Sequence, residues 1–150
     1  MCVALGVALG FARRRRLPHA LGALVLAAIV ASLVSTPAAW QDAVFLGLWA
    51  SIALTAASVH LPTTIGPRAA VALSINAGLW AGLATASAGS RLDLMVALPC
   101  ALICIPAAWA VARGWGLGIK VASSWLIAIA ILAAGLTLVP TPGYKPDHMD

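Results

Sequence analysis

Long apolar stretches alternate with short breaks of proline, glycine or charge along the whole chain. A helix needs about 20 apolar residues to cross a hydrocarbon core about 30 Å thick, and five stretches approach that length. The pattern predicts an all-α fold, a polytopic transmembrane helix bundle. Its five full spans fall at about 17–36, 43–60, 69–88, 92–112 and 119–139, with a short N-terminal apolar helix over 1–12. The breaks are ordinary helix punctuation. Pro37 closes the first span and Leu61-Pro62 the second. Gly66-Pro67-Arg68 precedes the third and Gly89-Ser90 follows it, and Pro140 closes the fifth. The whole chain reads as one integral membrane domain with a short polar tail over 140–150.

The first stretch is too short to span alone, about 18 Å as a helix. A secretory signal places its positive residues before the apolar run, whereas here Arg13, Arg14, Arg15 and Arg16 follow it. A short tilted helix packed on the bundle, an interfacial segment and the remainder of a longer span are the readings left; the first is preferred.

Composition sharpens the class. Of 150 residues, 63% are hydrophobic and 9% charged, there is no glutamate, and mean hydropathy is +1.03. A soluble domain is nearer half apolar and a quarter charged. The net charge of +5 does not imply nucleic acid, because the basic residues sit in the gaps between apolar runs. That placement follows membrane topology. Arg13 to Arg16, Arg68, Arg113 and Lys120 fall on one side of five alternating spans, and only Arg91 and Lys145 on the other. The positive-inside rule makes the first side cytoplasmic. All four acids, Asp42, Asp93, Asp147 and Asp150, then lie opposite, and the C-terminus is extracytoplasmic. The expected location is the cell (inner) membrane. Arg13, Arg14, Arg15 and Arg16 are expected to contact anionic lipid headgroups on the cytoplasmic side.

Helices in lipid associate through small residues that admit close backbones. Gly78 and Gly82 form the preferred packing pair, within the bundle or between copies; Gly6 and Gly10 repeat the spacing. Trp40, Trp109, Trp115 and Trp125 fall near span ends, as an aromatic belt would. Trp49 and Trp80 lie deeper and should face other helices.

No Asp, Glu, Lys or Arg occupies the middle of a span, which argues against proton relays and voltage sensors. The polar residues that do lie within spans lean to one side. Ser51, Thr55 and Ser58 share a helix face. With His60, Asn76, Trp80, Ser123 and Ser124 they define a candidate polar vestibule open to the cytoplasm. Interhelical hydrogen bonding and bonds back to helix carbonyls are the competing account. Pro99 and Pro106 should kink the fourth span. Cys100 and Cys104, four apart on a helix, share a face and form a candidate thiol or soft-metal pair, though small apolar packing is the commoner role of a buried cysteine.

The remaining candidates are weak. The glycine-rich loop Arg113–Lys120 lacks any nucleotide-binding pattern. His19 and His60 lie at helix ends, and His148 lies in the tail. No cofactor or resident metal is expected. No motif identifies a family. The composition favours a small multi-pass protein serving as a subunit or accessory factor of a larger membrane assembly, with a membrane-protein partner or a homo-oligomer. The alternative is a small-solute transporter or facilitator with a cytoplasm-facing polar vestibule, as a monomer or as a homodimer closing through Gly78 and Gly82.

Overall fold

The computed structural model describes residues 1–11, 17–61, 66–88 and 91–138. Among them the chain is all-helical, without strands. Seven α-helices follow one another: α1 (Cys2–Leu9), α2 (Leu17–Ser32), α3 (Gln41–Ala57), α4 (Pro67–Ala88), α5 (Arg91–Ala97), α6 (Cys104–Ala112) and α7 (Gly116–Leu138). Three 3-10 segments join or extend them, at Ala38–Trp40, Ser58–His60 and Leu98–Ile103.

Four helical stretches are long and apolar enough to cross a membrane: Gln41–His60, Pro67–Ser87, Met95–Ala112 and Gly116–Leu136. The expected first span falls short. It ends at Ser32 and not at 36, giving a 16-residue apolar helix about 24 Å long. Thr36 precedes Pro37, whose ring disfavours helical geometry in the residue before it; Ser35 to Pro37 carry no regular structure. The other four spans lie within a few residues of their expected limits. α4 starts at Pro67, where the missing N–H costs nothing because a first-turn amide has no helical partner.

The fourth span is not one kinked α-helix. It is α5, a six-residue 3-10 stretch and α6 in series. Pro99 and Pro106 each remove an amide donor and crowd the carbonyl four residues back. The chain between them tightens into 3-10 geometry, and Pro106 sits in the first turn of α6, where its missing amide is tolerated.

Helix directions follow from side-chain neighbours. Gly78 lies against 24–28 of α2 and Gly82 against 28–32, so α2 and α4 run parallel. α3 pairs with α4 in the opposite sense, Gln41 with Ser87 and Ser51 with Asn76. α7 is antiparallel to α3, with Ser124 near His60 and Ala130 packed with Ile52. Arg68, Arg113 and Lys120 therefore share one end of the bundle, and Asp42 the other.

The short N-terminal helix is not a surface attachment. Leu5, Ala8 and Leu9 of α1 are fully buried. They form one core with Leu24 of α2, Val59, Ala77 of α4, Ala101 and Cys104. Gly6 and Gly10 bring α1 close to the fourth span: a Cβ on Gly6 would lie 3.0 Å from the Ala101 carbonyl oxygen, and one on Gly10 2.8 Å from Ala107 Cβ. α1 thus fills the middle of the half of the bundle nearest Arg113.

Candidate functional site

The structure places the expected polar residues along α3, α4 and α7, in hydrogen bonds within and between these helices. Asn76 donates its amide N–H to Ser51 Oγ, joining α4 to α3. Thr55 Oγ1 donates to the Ser51 carbonyl at 2.7 Å, and Ser58 Oγ to the Thr55 carbonyl at 2.6 Å. On α7, Ser123 Oγ donates to the Ile119 carbonyl at 2.9 Å and Ser124 Oγ to that of Lys120 at 3.1 Å. Ser124 Oγ also lies 3.4 Å from His60 Nε2, across α7 and the end of α3. Ser51, Thr55 and Ser123 are buried. Each hydroxyl is thus engaged with its own helix or a neighbour. This is the arrangement expected of polar groups that must be satisfied within the protein.

Trp80 sits apart from this group. Its ring covers Gly47 of α3 so closely that a Cβ there would overlap the indole. The sequence reading did not single out Gly47. Its signal was a lone glycine in an apolar span, which gains meaning only once α3 and α4 are paired and Trp80 lies against it. Ser74 was also missed: it is fully buried on α4 and donates to the Ala70 carbonyl at 2.9 Å.

Gly78 and Gly82 lie in the α2–α4 seam. A Cβ on Gly78 would overlap the Leu24 carbonyl oxygen and sit 2.8 Å from Ala27 Cβ; one on Gly82 would overlap the Ala28 carbonyl oxygen and sit 2.6 Å from Ala31 Cβ. The Gly-x-x-x-Gly face of α4 meets an Ala-x-x-x-Ala face of α2. It is filled within the chain, so a homodimer closing through this pair has no free face to use.

The two thiols of the fourth span do not share a face. Cys104 is fully buried, whereas Cys100 is exposed. On an α-helix four residues turn by about 400°. Three residues per turn in 3-10 geometry add about 80° over the same interval, which swings Cys100 away. Among the described residues, no three His, Cys, Asp or Glu side chains gather as a metal site would require. Arg13, Arg14, Arg15, Arg16 and the tail over 140–150 lie outside the described residues.

At the Arg113 end, the Arg113 guanidinium stacks 3.9 Å from the Trp109 ring centroid, a cation–π contact. Phe45 and Trp49 meet edge to face with centroids 6.0 Å apart. Among the described residues, two buried side-chain polar atoms have no partner, Thr36 Oγ1 and Trp49 Nε1. Of the clefts that indent the bundle, one of about 390 Å³ is walled by Thr36, Trp40, Val44, Trp80 and Leu83 at the Asp42 end. Another, of about 540 Å³, lies between His19 and Arg68. A third, of about 430 Å³, runs between α1 and α7. Of the expected vestibule residues, Trp80 lines the first of these clefts. Comparison with family models, with curated proteins and with solved structures finds no match.

Proposed function

We propose that the chain is a small multi-pass protein of the cell (inner) membrane that serves as a subunit or accessory factor of a larger membrane assembly. The observation that carries this reading is α7. It is the longest helix, yet only 11% of its spanning window is buried, against 33% for α3. Beside it runs the groove between α1 and α7, lined by Val3, Val7, Gly118, Val121, Ala122 and Trp125. Gly118 and Ala122 are four residues apart, the small-x-x-x-small spacing that admits a second helix backbone. The occupant proposed is a transmembrane helix of another membrane protein.

In this reading α2 is a fifth span. It lies parallel to α4 across the same depth, and Leu33 and Val34 extend its apolar length. The Arg68, Arg113 and Lys120 end faces the cytoplasm under the positive-inside rule, and the chain beyond α7 is extracytoplasmic. The hydroxyls of Ser51, Thr55, Ser58, Ser123 and Ser124 are engaged with their own or a neighbouring helix, which favours packing over a solute path.

A photo-crosslinking residue at position 121, in native membranes, tests the assembly. A discrete crosslinked protein is expected there, while the same group at Leu26, exposed on α2, should yield lipid adducts only. Lipid adducts alone at both positions, with recovery of a lone monomer, would count against the proposal.

A further inference from the structure

The parallel pairing of α2 and α4 sets the first turns of both helices at one end of the bundle. His19 lies in the first turn of α2 and Arg68 in that of α4. Both side chains are exposed, and both wall the same cleft, of about 540 Å³. A molecule from outside can therefore reach the two together. Arg68 is a permanent cation whose planar fork matches two phosphate oxygens, and His19 adds a ring N–H donor. The dipoles of α2 and α4 point the same way, so their positive ends strengthen that field. Asp42 starts α3 at the opposite end, and Asp93 lies in α5, which follows the far end of α4. Among the described residues, no carboxylate stands at the end that holds the cleft.

Beyond the two basic side chains the cleft is apolar, walled by Pro67, Val71, Ala72 and Ile75. Arg68, Ala72, Ile75 and Leu79 follow one another at four, three and four residues, so they form one stripe along α4. Ile75 and Leu79 are exposed. From Arg68 to Leu79 the stripe extends about 16 Å, close to the hydrocarbon depth of one leaflet, about 15 Å. A basic head above an apolar run of that depth fits an amphiphile that carries an anionic phosphate. A soluble anion would leave the apolar stripe uncovered. A partner helix suits it poorly, because Val71, Ile75 and Leu79 are large where close helix packing uses small residues.

We propose that this cleft binds one anionic phospholipid, its phosphate held by Arg68 and His19 and one acyl chain lying along Val71, Ala72, Ile75 and Leu79. The site shares no residue with the groove between α1 and α7, so each stands or falls alone. Native mass spectrometry of the full-length chain tests it, in micelles supplied with the anionic phosphatidylglycerol or with the zwitterionic phosphatidylcholine of the same acyl chains. Wild type is expected to retain the anionic lipid in preference to the zwitterionic one. Arg68→Gln should cut that retention about fivefold, the worth of one basic residue at an anionic lipid surface. His19→Leu removes the second donor and should lower it too. Lys120→Gln removes a charge from the same end but outside the cleft, and should lower retention less than Arg68→Gln. Ala72→Trp fills the cleft without touching a charge and should release the lipid, with helical content by circular dichroism checking that each variant folds. Equal losses in Arg68→Gln and Lys120→Gln would reduce the effect to general surface charge and overturn the proposal. So would undiminished retention in Ala72→Trp, which would leave the acyl chain outside the cleft. Equal retention of both lipids by wild type overturns it without any variant.

Discussion

Adding one carbon at Gly78 probes the α2–α4 seam most directly. The Leu24 carbonyl and Ala27 Cβ leave no room for it, and both are held by helix backbone. Gly78→Ala should therefore destabilise the bundle by about 1–3 kcal/mol, the usual cost of overpacking, read as a lower midpoint of detergent unfolding. Gly22 has nothing within 4 Å of its Cβ position, so Gly22→Ala should be neutral or modestly stabilising. A second residue-scale prediction concerns the Asn76–Ser51 side-chain bond between α3 and α4. Ser51→Ala and Asn76→Leu should each destabilise, and their double-mutant cycle should return a coupling of about 0.6 kcal/mol, the average for polar contacts in membrane helices. A coupling of zero would mean that the Asn76 amide is satisfied elsewhere.

The fourth span shows at element scale what two prolines do when seven residues apart. The sequence pointed to a kink there, and to thiols on one face. The kink is instead distributed through Leu98–Ile103 as 3-10 geometry, and the thiols diverge. In single-cysteine variants in detergent, a small uncharged thiol reagent should modify Cys100 first and reach Cys104 only on unfolding. Equal rates would place both on one face. The spans themselves were legible because proline, glycine and charge interrupt apolar runs at Pro67, Gly89 and Arg113. The end of α2 was harder to place, since Leu33 and Val34 continue the apolar run after the helix has stopped. α1 was least legible. In lipid a buried face and an exposed face are equally apolar, so nothing in Val3-Ala4-Leu5 distinguishes a surface helix from a core one. Of the polar residues, Ser51 meets Asn76 and Ser124 lies near His60 across helices, while Thr55, Ser58 and Ser123 bond back to their own helix. Whether a serine bonds back to its own helix depends on its rotamer and neighbours, which spacing does not reveal.

For the molecule as a whole, sidedness follows from helix directions without settling how many spans precede α3. α3 descends from Asp42 to His60, α4 returns, and α7 rises from the Arg113 turn. Positions 42 and 115 must then face opposite sides of the membrane whether or not α2 crosses. Both side chains are exposed, so Asp42→Cys and Trp115→Cys, each in a background with Cys2, Cys100 and Cys104 replaced by alanine, report the two ends. A membrane-impermeant thiol reagent added to intact cells should label position 42. Position 115 should be labelled only after the membrane is opened in the proposed topology, in which the positive-inside rule assigns the end bearing Arg113 and Lys120 to the cytoplasm. Labelling of both positions in intact cells would contradict the antiparallel pairing of α3 with α7. The reverse pattern would keep that pairing but invert the molecule, leaving its basic end on the face that the positive-inside rule disfavours.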